Sequence, residues 1–366
     1  MKKRLSLKFK LNLYILTAAT IIYVISIGYI SFRLQDKTYK DSVEIVKTYT
    51  REYRNMVQED LNKIQASANV LRDIFSKHEK YNENERIVFF NDILLSLTES
   101  NPDYLSTWLI WQLKTFDKNY KLRNGRITHS YYRLNGEILY DEEISDQTDD
   151  ILDGLYYQIK DLNEETIMDP YYDVVTEDLA GVIMTSVTVP VQDKNGNFEG
   201  LVGIDISLEQ MKSVISEIDP FDESIAYIVG RNRLVVAHSN ANIIGQDFIA
   251  SLGKDSLEFR QGFENTQFNE MYDFKYKNDK DDKEYFVSLA PITIGKAHKK
   301  WMIGIEVPLN IIMAEANMVL RNTIVVGAIG LLLLFVIIYF IANGITNPII
   351  KGVNFAKTIS DGNLSV

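Results

Sequence analysis

Two long apolar runs bracket the polar bulk of the chain. Leu11–Phe32 and Thr323–Ala342 hold no charged residue. Each is close to the ~20 residues a helix needs to cross a hydrocarbon core, where it satisfies its own backbone hydrogen bonds. Leu331, Leu332, Leu333, Leu334, Phe335 and Val336 are apolar on every helical face, unlike a surface helix. The first run follows a basic tail, as a signal peptide would, but no small-residue cleavage site precedes Arg33. Both runs read as transmembrane helices. After the first, Val46, Tyr49, Tyr53, Val57, Leu61, Ile64, Ala68, Leu71 and Phe75 recur at steps of three and four. That spacing predicts one apolar stripe on a helix from about Asp36 to His78, about 60 Å long. The stripe can pack on its own domain or on the same helix of a second copy. A second helix is predicted over Glu85–Glu99, stopped by Asn101-Pro102.

The period then shortens. Tyr104–Phe116, Ile127–Leu134 and Ile138–Tyr140 read as strands, with turn signals at Asn124-Gly125 and Asn135-Gly136. Asp141–Asp150 reads as an acidic loop and Ile151–Leu162 as a short helix. Val182–Val191 and Leu201–Ile206 are strands about the turn Asp193–Asn197. Ser207 is the expected N-cap of the helix that follows, with Gln210 at its third position. Past Asp219-Pro220 a smaller version begins, with strands at Ala226–Val229, Leu234–Ala237, Asp273–Tyr276, Glu284–Ala290 and Trp301–Val307. The expected fold class is α+β, a long N-terminal helix carrying two antiparallel-sheet lobes and flanked by two membrane helices. The expected divisions are a basic tail (1–10), a first span (11–32), the long helix with the first lobe (33–218) and the second lobe (219–310). A second span with its lead-in (311–342) and a short C-terminal segment (343–366) complete them.

Charge orients this frame. Lys2, Lys3, Arg4, Lys8 and Lys10 precede the first run, and Lys351 and Lys357 follow the second. Short basic flanks stay cytoplasmic, so the middle region is expected outside. Its net charge of −17 over residues 33–322 argues against nucleic acid or anionic lipid as partner. The chain has no cysteine, which removes thiol catalysis and thiolate metal sites. No G-x-S-x-G or H-E-x-x-H signature is present. His129, His238 and His298 lack metal-ligand spacing. Asp141–Asp150 and Asp279–Asp282 lack the glycine and spaced oxygens of a calcium loop. No metal or cofactor is expected.

Pro170-Tyr171-Tyr172-Asp173, the run Thr188–Leu208 (TVPVQDKNGNFEGLVGIDISL) and Val235–Asp247 (VVAHSNANIIGQD) resemble the double-Cache sensors of bacterial chemoreceptors and sensor kinases. The resemblance spans about Asp36–Leu309. It implies two PAS-like Cache lobes, with a small ligand held in the membrane-distal one. Thr346–Ile350, Val353, Ala356, Ile359 and Ser360–Leu364 resemble the start of a HAMP linker, with Pro348 in the first turn of a helix and Gly362 at its stop. A HAMP unit is a parallel four-helix bundle from two chains, so the resemblance implies a homodimer. It also implies cytoplasmic signalling partners beyond a module that begins here without finishing. Chemotaxis is the favoured output, with a sensor histidine kinase as the alternative. An ectoenzyme built on Asp173 and Asp205 is a reading from a different class.

Asp205 interrupts an apolar strand between Ile204 and Ile206. A carboxylate there is costly unless paired. It either holds a cationic ligand group, or, at the strand end, caps the next helix or faces water. In amino-acid receptors of the resembling family an Asp in this strand binds the ligand amine, and Asp173 and Tyr171 match a Tyr-x-Asp that lines the amine end. The family's Arg-x-Trp-Tyr segment, which holds the ligand carboxylate, is broken here. Tyr156 stands for the tyrosine, Leu155 replaces the tryptophan and Asp153 sits where the arginine belongs. The expected ligand is an amine, or an amino acid held differently, with Arg126 or Arg133 able to reach in. Trp108, Trp111, Tyr131 and Tyr132 are candidate walls offering cation–π contact, of which strand alternation turns only some inward.

Overall fold

The computed structural model describes residues 7–361 apart from 118, 123, 146–153, 174–175, 217, 219–220, 253–256, 269, 279–280, 294 and 296–299. They form two compact units, one of residues 1–44 with 310–366 and one of residues 45–309. Helix α1 (Leu7–Phe75) is continuous from the first apolar run through the predicted stripe. It stops three residues before the expected end, and His78–Lys80 forms a single 3-10 turn. Helix α2 (Glu83–Ser100) opens with a capping box. The Asn82 side chain accepts from Glu85 N at 3.0 Å, and the Glu85 carboxylate accepts from Asn82 N at 3.2 Å.

The first lobe follows. It comprises β1 (Ser106–Gln112), a turn of helix α3 (Leu113–Phe116), β2 (Arg126–Leu134), β3 (Glu137–Ser145), α4 (Leu155–Leu162), β4 (Thr166–Ile167), β5 (Tyr171–Tyr172), β6 (Ile183–Gln192), β7 (Phe198–Ser207) and α5 (Leu208–Ser216). Its sheet order is β3-β2-β1-β7-β6-β4, with β5 also on β6 and every pair antiparallel. The expected strand to Phe116 ends at Gln112. The expected loop at Asp141 is strand as far as Ser145, because the turn at Asn135-Gly136 pairs β2 with β3 along their whole length. Both turn residues take positive φ, 52° and 87°, the hairpin conformation that Asn-Gly favours. The rest of the expected acidic loop, the start of the Ile151 helix and the Gln210 side chain lie outside the described residues.

The second lobe is smaller. It holds β8 (Ile225–Val229), β9 (Val235–His238), α6 (Phe248–Leu252), α7 (Leu257–Phe268), β10 (Tyr272–Lys277), β11 (Glu284–Ile292) and β12 (Trp301–Pro308), in sheet order β10-β11-β12-β8-β9. His238 organises the turn after β9, its Nδ1 accepting from Asn240 N at 2.7 Å. Both lobes sit on α1. Lys47 pairs with Asp273 at 2.8 Å, and Gln58 and Gln65 bond the backbone at Thr293 and Gly295 of the second lobe. Farther along, Ser67 meets the Tyr104 hydroxyl and Phe75 packs 4.4 Å from Phe90 in the first lobe.

The lobes are tied at one carboxylate. Asp169 Oδ1, between β4 and β5, accepts from Arg231 N at 2.8 Å and from Trp301 Nε1 at 3.1 Å. The Arg231 guanidinium, 3.5 Å from the same oxygen, also donates to Thr166 Oγ1 at 3.1 Å and to the Ile167 carbonyl at 2.5 Å. Four donors thus converge on the short segment that leads into β5.

In the other unit, α8 (Leu309–Ile312) precedes α9 (Ala314–Ser360). The apolar stretches of α1 and α9 are long and apolar enough to cross a membrane, and at most 6% of either is buried. Neither stretch is buried as a core helix within the described residues. The two helices meet at small residues, where a Cβ on Gly327 or Gly330 would lie 2.6 Å from Ile27 or 2.3 Å from the Tyr23 hydroxyl. Such close approach is how helices pack in lipid. Pro348 lies inside α9 rather than in a first turn. Pro348 has no N–H to give the carbonyl of residue 344, yet the helix continues to Ser360.

Candidate functional site

The alternation of β1, β2 and β7 builds one face of a cavity. Ser106, Trp108 and Ile110 from β1, Arg126, Thr128 and Ser130 from β2, and Leu201 and Asp205 from β7 all point into it. Helix α4 covers it with Tyr156 and Ile159, Met168 lines it, and Tyr171 and Asp173 close one end. The cavity volume is about 280 Å³. A second cavity of about 320 Å³, between α1 and α5, is lined by Val57, Leu61, Ile64, Tyr104 and Met211, with Asp60, Lys63 and Asp103 at its edge. Among the described residues no buried charge is aimed into it, so the first-lobe cavity is the candidate site.

Asp205 is its chemical centre. The register sets Ser106 and Ser186 on either side of it. Trp108 Nε1 donates to Oδ1 at 2.8 Å, Ser186 Oγ to the same oxygen at 2.6 Å, and Ser106 Oγ to Oδ2. The Tyr171 hydroxyl extends the network to Ser186 at 2.6 Å. Trp108 reaches Asp205 because its ring lies flat on Gly203, where a Cβ would fall 2.0 Å from it. Asp205 is 6% exposed. Burial raises its pKa to about 6 against the opposing pull of its three donors, and the nearby charge of Asp173 adds to the rise. Burial, then Asp205, holds the Tyr171 hydroxyl protonated far above the usual tyrosine range. The arrangement holds an anion in want of a positive partner on its open side.

Six of the expected residues line this space: Asp205, Asp173, Tyr171, Tyr156, Trp108 and Arg126. Three do not. Trp111 is odd-spaced from Trp108, so it faces the other side of the sheet, 4.9 Å from His78 and 6.2 Å from Phe90. Arg133 also faces away and donates to the carbonyls of Tyr104, Thr98 and Asn101, fixing the corner between α2 and β1. Tyr132 is on the cavity side but beyond its acidic end. It packs with Leu179 and Met184 and donates to Asp178 at 2.7 Å, a bond that raises its pKa to about 12. Tyr131 stacks outward against Tyr140. Leu155, in place of the family tryptophan, is half exposed at the rim, and Asp153 lies outside the described residues. Ser106, Ser186, Thr128 and Ser130 were missed, because small hydroxyls in a strand gain meaning only from the register.

The second lobe repeats the pattern in closed form. Gly304-Ile305-Glu306-Val307 ends β12 as Gly203-Ile204-Asp205-Ile206 ends β7. Tyr227 lies on Gly304 as Trp108 lies on Gly203. Tyr276, at the register position of Tyr171, donates to Glu306 Oε2 at 2.6 Å. The positions of Ser106 and Ser186 are filled by Ile225 and Val287. Phe248 and Phe259 pack 4.5 and 4.7 Å from the two tyrosine rings. The lobe's own phenols occupy the space beside its acid.

No family model matches the chain. It is 25% identical over 199 residues to the methyl-accepting chemotaxis protein McpA of Bacillus subtilis, a match covering 54% of this chain and 26% of the relative's length. Among solved structures it is similar to the extracellular domain of mmHK1S-Z3, assigned as a histidine kinase. The TM-score is 0.61 at 21% identity, over 76% of this chain and 97% of that one. It is also similar to the ligand-binding domain of the Pseudomonas fluorescens chemoreceptor CtaA, solved with L-isoleucine. There the TM-score is 0.54 at 15% identity, over 77% of this chain and 98% of that one. The fold is that of the extracytoplasmic double-Cache sensor domains of chemoreceptors and histidine kinases.

Proposed function

We propose that this chain is the sensing and membrane-spanning part of a chemoreceptor, which binds a small amine-bearing ligand in its first lobe and performs no catalysis itself. The observation that carries the reading is Asp205, a buried carboxylate with three donors behind it, Asp173 beside it and a cavity in front. An ammonium there gains two charge-assisted contacts and the ring of Trp108. The basic flanks of the two apolar helices support an extracytoplasmic sensor anchored by two spans. The order along α1 supports the first lobe (33–218) as membrane-distal and the second (219–310) as membrane-proximal. Residues 343–366 act as the entry to a HAMP linker shared by a homodimer, and the partners beyond it are cytoplasmic signalling proteins. The ligand drives the output by favouring one of two arrangements, since tight binding to both moves nothing. A histidine kinase output is the second reading, supported by the likeness to mmHK1S-Z3.

Calorimetry on the chain in nanodiscs, screened against primary amines and amino acids, tests the site. A ligand that binds at pH 7.5 is expected to weaken as pH falls through about 6, where Asp205 takes up its proton. Binding that is flat down to pH 5, or absent across both compound classes, counts against the amine reading. Asp173→Asn is expected to weaken binding about tenfold. It also moves the acid limb to lower pH, because the charge that helps raise the Asp205 pKa is gone. An unmoved limb means that Asp173 acts elsewhere.

A further inference from the structure

The cavity is polar at two ends and apolar between them. Asp205 faces Ser106 on β1, and Arg126 faces Gln112 on the same strand. Those strand positions are six residues apart, roughly 20 Å at ~3.3 Å per residue. All the intervening cavity-side residues of β1 and β2 share one face, and both poles border the same enclosed space. Standard bond lengths let an Asp carboxylate reach roughly 2.5 Å from its Cα and an Arg guanidinium roughly 6 Å. With both side chains fully extended toward each other and a hydrogen bond at each end, the gap left for a ligand's two charged groups is at least roughly 6 Å. The nitrogen and carboxylate carbon of an α-amino acid are only roughly 2.5 Å apart. One molecule of that kind cannot touch both poles.

The waist between the poles is built for hydrocarbon. Trp108, Ile110, Tyr156, Met168 and Leu201 form one buried cluster there. Arg126 is held at the far end with its guanidinium 5.0 Å over the Tyr156 ring. The ammonium of Lys160 lies at the same end, 3.2 Å from Gln112 Oε1. One end of the cavity is therefore acidic and the other basic.

We propose that the cavity selects an elongated zwitterion, with its ammonium on Asp205, an apolar middle along Trp108 and Tyr156, and its carboxylate on Arg126. The assignment rests on the amine reading of Asp205 and replaces the family's missing arginine with one from a different strand. Arg126 is then the residue that sets ligand length.

The test is a calorimetric series on the chain in nanodiscs. It uses ω-amino acids from glycine to 8-aminooctanoate, each beside the n-alkylamine of equal length, on the wild type and on Arg126→Gln, Arg126→Lys and Asp205→Asn. The ω-carboxylate is expected to improve affinity about tenfold over the plain amine once the chain spans the gap, and not in the shortest members. Arg126→Gln should erase that advantage, and Arg126→Lys should restore part of it. A carboxylate advantage that survives Arg126→Gln, or an affinity maximum at glycine, overturns the length assignment while leaving the amine hook intact. Failure of every alkylamine and ω-amino acid on the wild type, or binding that survives Asp205→Asn, overturns the amine reading itself. A thermal midpoint for each variant separates a lost contact from a lost fold.

Discussion

Asp205→Asn is expected to abolish amine binding and at the same time make the unliganded protein more stable. The carboxylate is buried with its pKa raised to about 6, so at neutral pH the folded state holds a charge that the unfolded chain would hold more cheaply. Keeping that charge buried costs the folded state about 3 kcal/mol. The sign follows from the direction. A raised carboxyl pKa means the folded state binds the proton more tightly, so this contribution is fully present below about 4 and is lost as pH rises through 6. The amide suits the site without rearrangement. Its oxygen keeps the Oδ1 position with Trp108 and Ser186, and the Ser106 hydroxyl rotates to accept from the new NH₂ at Oδ2. Denaturant titrations of both proteins from pH 4 to 8 should show curves that meet at the acid end and diverge by up to about 3 kcal/mol above pH 6. Curves that stay parallel would mean that Asp205 is not the group that titrates.

Gly304→Ala is expected to damage the protein more than Gly203→Ala, although the two glycines hold equivalent places. A Cβ at Gly304 would lie 2.3 Å from the Tyr227 ring. That ring is fully buried, between Phe248 and the closed acid, with no space to enter. Overpacking there should cost about 3 kcal/mol or more. A Cβ at Gly203 meets the Trp108 ring at 2.0 Å, but Trp108 borders the cavity and can swing into it. Its cost should be about 1–2 kcal/mol, accompanied by loss of the Trp108–Asp205 bond and of amine affinity. Thermal midpoints with and without a bound amine separate the two. Equal destabilisation by both would mean that the second lobe has hidden room.

Much of this architecture was legible as periodicity. The two apolar terminal helices, the stripe from Val46 to Phe75 and the paired strands of each lobe all follow from residue spacing. The misplacements have specific causes. Trp108 and Trp111 look alike in sequence, and only the pairing Trp108↔Gly203 fixes which one turns toward Asp205. Arg126 and Arg133 differ by seven positions, an odd number, so a strand sends them to opposite faces. One borders the cavity and the other binds three carbonyls. The serines beside Asp205 come from β1 and β6, about 80 residues apart in sequence, and no local pattern joins them. The Glu306 repeat was readable in the sequence as G-I-D-I against G-I-E-V, but its closure depends on Tyr227 and Tyr276 arriving from two other strands.

The Asp169 tie has a mechanical consequence. Tyr171 and Asp173, which close the acidic end of the cavity, lie two and four residues beyond a side chain bonded to Arg231 and to Trp301. At ~3.3 Å per residue that is roughly 7–13 Å of extended chain, and Pro170 within it has a locked φ. A tether so short and stiff has little slack to take up. Asp169 therefore joins the segment that bears Tyr171 to Trp301, the first residue of the strand whose last residue adjoins Leu309.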